Sequence, residues 1–322
     1  VLLWPRGKET HLGQRFRQAA ARFQGVVKPI TAGVVLLWCA TAGWVFYNTK
    51  VLHKIEGPKD AKRHLADYEK KYKQFEKLTV PRVQSIKYSI DIFPETRNVT
   101  MRGEQILQNK SDQPIADLHI QQTNAFDYEI EIERAKRKSY DGEFHHAVYS
   151  FDPPLNPGER AVMKFSVKSR NKGFENEVSQ IQLVQNGTFF NNQMAPHLGY
   201  NSGAELSERN DRKEYGLKEK DLTMPALERN CTKNCMNTYL SDSSDWVDVE
   251  TVISTSPDQI AVAPGSLLRE WNENGRRYFQ YKLDHASMNF YSFISARYEI
   301  AREEKDGIQY EVYFHPEHKW NV

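Results

Sequence analysis

The spacing of apolar residues along this chain changes twice, and each spacing predicts a different kind of element. Residues 30–47 read ITAGVVLLWCATAGWVFY, with no charge among them. That is about the ~20 residues a helix needs to cross the hydrocarbon of a bilayer. Pro29 suits the first turn of such a helix, where its missing N–H costs nothing. Trp44 and Tyr47 fall where interfacial aromatics sit. Over residues 59–77, Leu65, Tyr68, Tyr72 and Phe75 recur at helical spacing and define one face. The prediction is a short helical stalk that packs on the base of the large domain and ends before Pro81.

From Val83 the period drops to two. Ile86, Tyr88, Ile90 and Ile92 alternate with Ser85, Lys87, Ser89 and Asp91, the signature of a half-buried strand. Residues 94–98 turn the chain and 101–107 run back. Further strands are predicted over 115–121, 128–132, 147–151, 161–169 and 181–184. Asp141-Gly142, Pro157-Gly158 and Asn186-Gly187 mark turns between them. Residues 201–244 break the rhythm, being charged and poor in aliphatics, and read as a long excursion carrying short helices. Strands resume over 246–255, 259–263, 267–272, 276–283, 290–300 and 307–314, with Asn274-Gly275 as a hairpin turn. The expected fold is mainly β: one N-terminal transmembrane helix, a helical stalk, then an antiparallel β-sandwich interrupted by that excursion.

Charge sets the orientation of the span. Arg6, Lys8, Arg15, Arg17, Arg22 and Lys28 precede it against one acid, Glu9. The positive-inside rule therefore places residues 1–28 in the cytoplasm and the large domain on the other side. A net charge of +2 over the whole chain, with no basic patch interleaved with aromatics, gives no case for nucleic-acid binding. Cys39 lies within the span. Cys231 and Cys235 share a polar loop and form a possible disulfide in an oxidising compartment; no further Cys or His stands at zinc-ligand spacing nearby.

The motifs of chemistry are missing. The sequence has no H-E-x-x-H, no G-x-S-x-G and no phosphate-binding glycine loop. His315-Pro316-Glu317-His318 has its histidines three apart, with a proline that disfavours a helix, so a turn is expected. His145-His146 follows Lys136, Arg137 and Lys138 in what reads as a solvated basic loop. No catalytic residue and no metal ligand is assigned in these residues.

A specific resemblance lies in the order of parts. Ile86-Lys87-Tyr88-Ser89-Ile90-Asp91-Ile92 followed by Met101-Arg102-Gly103-Glu104 resembles the opening of the N-terminal sandwich of the aminopeptidase N family of zinc metallopeptidases. Ser241-Asp242-Ser243-Ser244-Asp245-Trp246-Val247, the run from Ser254 to Ala261, Ala263-Pro264-Gly265 and the run from Asn274 to Phe279 extend it. This series is similar to bacterial membrane proteins in which an aminopeptidase-like ectodomain is fused to an ABC transporter permease.

The resemblance implies a division at 1–28 (cytoplasmic), 29–49 (span), 50–80 (stalk), 81–306 (sandwich) and 307–322, the start of a linker to a catalytic domain. The chain runs from Val1 to Val322 and is expected to be a piece of a longer protein. Zinc would belong to that further domain, and these residues would carry no cofactor. The intact protein would hydrolyse N-terminal residues from peptides, in a bacterial inner membrane with the sandwich outside the cytoplasm. Its partners would be the lipid bilayer, a peptide substrate and an ABC transporter ATPase subunit. A cleft-facing glutamine of the family corresponds best to Gln193, with Asn192 beside it, as substrate-binding residues. The arginine and the proline-cysteine-aspartate run that follow in the family are replaced here by Ala195-Pro196-His197-Leu198-Gly199-Tyr200. The alternative reading is a non-catalytic substrate-binding or docking ectodomain of a membrane transporter.

Overall fold

A computed structural model describes residues 11–52, 57–169, 171, 173, 182–220 and 245–322. The chain divides into two compact units. One comprises Val1–Glu56 with Lys172–Val178, the other Gly57–Asn171 with Ser179–Val322.

In the first unit, α1 (Leu12–Arg22) precedes α2 (Val27–Phe46), which continues as a π-helical turn over Tyr47–Leu52. The stretch Val27–Leu52 is long and apolar enough to cross a membrane. Its side chains are turned outward: Leu36, Leu37 and Trp38 are each about 70% exposed (70%, 69% and 69%). Three of its polar side chains bond back to the helix itself. Thr41 donates to Leu37 O at 2.8 Å, Asn48 to Trp44 O at 2.8 Å and Thr49 to Val45 O at 2.9 Å. A helix whose hydrogen-bonding groups are satisfied internally is the form that lipid tolerates.

The second unit opens with α3 (Pro58–Tyr72). Strands follow as β1 (Arg82–Phe93), β2 (Asn98–Gln108), β3 (Ile115–Gln121), β4 (Asp127–Ile132), β5 (Ala135–Asp141), β6 (His146–Leu155) and β7 (Arg160–Lys168). Next come β8 (Thr188–Asn191), β9 (His197–Leu198), the short α4 (Arg209–Glu214) and β10 (Trp246–Thr255). The chain finishes with β11 (Ile260–Val262), β12 (Ser266–Glu273), β13 (Arg276–Lys282), β14 (Ser287–Met288), β15 (Ser292–Ala296), β16 (Glu299–Lys305) and β17 (Ile308–Phe314).

One twelve-stranded sheet runs β12-β13-β10-β1-β2-β7-β4-β5-β6-β3-β9, with β14 pairing to β10. A three-stranded sheet, β11-β15-β8, and the β16–β17 ribbon complete the unit. The mainly β reading of the sequence holds, and the alternation in β1 is real: Ile86, Tyr88, Ile90 and Ile92 are all buried. They join one core with Met101, Leu118, Ile120, Met163, Phe190, Ile253, Phe279 and Phe293, drawn from both larger sheets. The pairing is not antiparallel throughout, because β10 lies parallel to β1, with Ser85 opposite Asp248 and Asp91 opposite Ser254.

Two glycines in the resemblance carry backbone roles. Gly103 on β2 lies between Tyr88 on β1 and Phe165 on β7. A Cβ there would sit 2.2 Å from the Phe165 ring, so the glycine is the floor on which that ring lies. Gly265, at φ +102°, brings its α-carbon so near the Lys282 carbonyl that a Cβ would fall 2.2 Å from the oxygen. At the β12–β13 turn, Asn274 and Gly275 both have positive φ (50° and 72°), as the type I′ hairpin requires.

Two expectations need correcting. Lys136, Arg137 and Lys138 are not loop residues but the middle of β5, paired to β6. The predicted strand 290–300 is broken: β15 and β16 belong to different sheets, with Arg297-Tyr298 turning between them. Helix α3, where the stalk is expected, buries Ala66, Tyr68, Glu69 and Tyr72 within the second unit.

Candidate functional site

Asn192 and Gln193 lie in a short 3-10 turn, Asn192–Met194, at the end of β8. The turn is set by Asn191, whose side-chain oxygen accepts the Gln193 N–H at 3.0 Å. Asn192 is a clamp. Its Nδ2 donates to Asn289 Oδ1 at 2.9 Å, its Oδ1 accepts the Tyr291 N–H at 3.0 Å, and its own N–H donates to Tyr291 O at 2.9 Å. Its side chain thus ties β8 to the start of β15. Gln193 is exposed and next to Met194, whose carbonyl accepts the Tyr128 hydroxyl at 2.9 Å. The structure therefore separates the pair: one amide is committed to the fold and the other is presented to solvent.

Tyr128 also lines an open cavity of about 940 Å³. The cavity exists because β4 and β5 meet only where Ile132 opposes Ala135. Beyond that pair the strands diverge, β4 following β7 and β5 following β6. Asp127, Glu129 and Glu131 stand exposed along one bank. Arg137, Tyr140 and His145 stand on the other.

A second concentration of polar groups lies beneath α3, and sequence reasoning missed it apart from the helical face. Tyr68, Tyr72, Phe144 and Tyr200 form an aromatic cluster, with Tyr68 and Tyr200 stacked at 5.4 Å. Glu69 and Arg212, on α3 and α4, make a two-pronged pair at 2.8 Å per bond, with side chains 7% and 4% exposed. Glu205 accepts from Lys73 at 2.7 Å and from the Tyr200 hydroxyl at 2.8 Å, and Lys220 lies 3.0 Å away. Burial opposes its ionisation, but these donors hold its carboxyl below the usual range. Asp141 receives Lys71 and Tyr72, both at 2.5 Å. Although partial burial raises its pKa, these bonds and the N–H groups of Glu143 and Phe144 leave it well below an ordinary carboxylate. Burial pushes the Tyr68 hydroxyl up to about 12.

His119 and His146 complete this cluster. His119 Nδ1 lies 2.9 Å from His146 Nε2, and His146 Nδ1 lies 3.0 Å from Gln121 Oε1. The Gln121 amide nitrogen is turned to the Phe144 and Gln122 carbonyls, which leaves its oxygen as the acceptor. The hydrogen-bond network then assigns His146 as the Nδ1–H tautomer, with its Nε2 accepting from His119. Burial, then the charge that His119 would carry, pushes His146 down to about 4. Burial lowers His119 as well.

None of these groups forms a nucleophile–base pair or a metal cage. Among the described residues, no three His, Cys, Asp or Glu side chains come together as metal ligands. The two histidines spend their facing nitrogens on each other, so a zinc ion does not fit there. The His315 and His318 rings lie 5.2 Å apart, tilted by 48°, in a turn, with His315 Nδ1 accepting the Glu317 N–H at 3.2 Å. Cys231 and Cys235 lie outside the described residues.

No family model and no curated protein matches this chain. Among solved structures it is similar to an M1 zinc metallopeptidase from Deinococcus radiodurans, at a TM-score of 0.45 and 10% identity, covering 71% of this chain and 45% of that one. It is also similar to a mutant of the Deinococcus radiodurans M1 zinc metallopeptidase bound to a Tyr-Ser-Ala substrate (TM-score 0.44, 10% identity, 72% and 46% covered). A mutant two-domain M1 zinc metallopeptidase bound to L-arginine gives a TM-score of 0.46 at 8% identity, with 74% and 48% covered. The chain spans less than half the length of each of these structures. At this level of likeness neither family nor activity is assigned.

Proposed function

We propose that this chain is the membrane-anchored, non-catalytic part of an aminopeptidase N-like zinc metallopeptidase fused to an ABC transporter permease. In this reading α2 spans a bacterial inner membrane and the β unit lies outside the cytoplasm. A further domain supplies zinc and hydrolysis. Gln193 lines the peptide's path, and an ABC transporter ATPase subunit binds on the cytoplasmic side.

The observation that carries the reading is the β16–β17 ribbon. Ile308, Tyr310 and Val312 alternate along β17 on one face, and they are 56%, 51% and 49% exposed. A contiguous apolar row on a two-stranded ribbon is a surface prepared for another folded body. It comes directly after the sandwich, where the linker to a catalytic domain is expected. The sequence series from Ile86 to Phe279 supports the family half of the proposal, and the arginines and lysines before α2 support its orientation.

The test uses the protein as it occurs in its own membrane. Aminoacyl p-nitroanilides should be cleaved, and a zinc chelator should abolish the cleavage. No chelator-sensitive hydrolysis would overturn the enzymatic reading. Orientation is tested separately by Ser207→Cys, an exposed position. It should add labelling by an impermeant maleimide in intact cells over the unsubstituted protein, and added labelling only after lysis would reverse the orientation.

A further inference from the structure

The open mouth between β4 and β5 is bounded by two strand edges that part beyond the Ile132–Ala135 pair. Register determines which backbone groups line it. Glu133 donates its N–H to Val162 O at 2.8 Å, so the odd-numbered residues of β4 hydrogen-bond to β7. In an antiparallel pair the alternate residues direct their N–H and C=O the other way. The main-chain groups of Tyr128 and Ile130 therefore point into the mouth. The Tyr149 hydroxyl lies 3.5 Å from Ile130 O. On the opposite bank, Asp152 N–H bonds Arg134 O at 2.9 Å, which by the same alternation turns the Arg137 main chain inward.

We propose that this mouth binds an extended, basic segment of another polypeptide as an added strand along β4. The edge supplies main-chain bonds, and the cavity of about 940 Å³ supplies the room. The side chains set the chemistry of the occupant. Alternate residues of an added strand would stand beside Asp127, Glu129 and Glu131, all exposed. Glu129 already has a cation, Lys168, at 3.3 Å, and Asp127 is likewise engaged. The residues between would face Phe126, Tyr128 and Ile130, which are half-buried against the core. A strand alternating Lys or Arg with aliphatic residues satisfies both requirements, since opposite charges directly across a sheet attract. The far bank repels it: Lys136 is exposed there, while Arg137 lies over the Tyr140 ring and Lys138 holds Asp117 at 2.8 Å. The segment is thereby directed to β4. This inference stands whether or not the chain belongs to a peptidase.

The test uses the full chain and a fluorescent acetyl-(Lys-Val)₃-amide peptide. Saturable binding is expected, together with slowed amide exchange at Tyr128 and Ile130. The double variant Glu129→Lys/Glu131→Lys should weaken binding by about tenfold or more, two reversed cross-strand charges being worth ~1–2 kcal/mol together. A second arm leaves the protein unchanged. N-methylating the valine amides or the lysine amides should abolish binding for one set and spare it for the other, because only alternate residues bond the edge. No binding, equal binding of the (Glu-Val)₃ peptide, equal tolerance of both methylated sets, or binding without protection of Tyr128 and Ile130 would each overturn the proposal.

Discussion

Adding one methyl group to Gly103 sets a carbon against the Phe165 ring, which is packed in the core and cannot simply swing aside. Overpacking of this kind costs typically about 1–3 kcal/mol, so Gly103→Ala should lower the urea midpoint by that equivalent, and Gly103→Ala with Phe165→Leu should recover part of it. His146 supplies a pH dependence. Its folded-state pKa is pushed down to about 4, below the ~6.5 of a free imidazole. A depressed histidine stabilises the fold fully above the unfolded value. As pH falls from about 6.5 towards 4, the unfolded chain takes up the proton first and that stability is lost. Urea midpoints measured from pH 7.5 to pH 4.5 should therefore fall, and the fall should be shallower in His146→Gln. An unchanged slope in the variant would show that other groups control the acid limb.

Elements are held by contacts of very different range, and this decides what can be read from sequence. The α3 face was legible because Leu65, Tyr68, Tyr72 and Phe75 fix it locally. What locks α3 in place was not, since Glu69 finds Arg212 143 positions away. Truncating one partner of such a buried pair leaves a bare charge, a loss on the order of 3–5 kcal/mol. Arg212→Ala should show this in chemical unfolding, and Glu69→Leu/Arg212→Met should restore much of the stability. The alternation of β1 was visible because one face is buried. β5 hides because it buries no residue, and because its hairpin turns through Glu133-Arg134, with Arg134 itself at φ 59°. No glycine or asparagine announces that turn. Asn192 was legible as a strand-end amide but not as a clamp, since its partner Asn289 is fixed only by the meeting of β8 and β15.

At the scale of the molecule, α2 makes membrane insertion a quantitative expectation. One arginine at the centre of a span costs roughly 2.5–3.5 kcal/mol on translocon scales. Leu37→Arg should measurably reduce resistance to alkaline extraction, whereas Lys28→Arg should not. The parallel pairing of β10 with β1 has a different consequence, one of timing. β1 is an interior strand of the finished sheet, yet one of its two neighbours begins at Trp246. A ribosome making this chain releases β1 to β8 long before that neighbour exists. Throughout that interval one flank of β1 is a bare edge beside apolar surface, the kind of template on which nascent chains stick to one another. Completion of the central sheet must wait until β10 and the strands after it have been made. Arrested chains ending before Trp246 should accordingly be held by chaperones, and chains extended past β13 should be released.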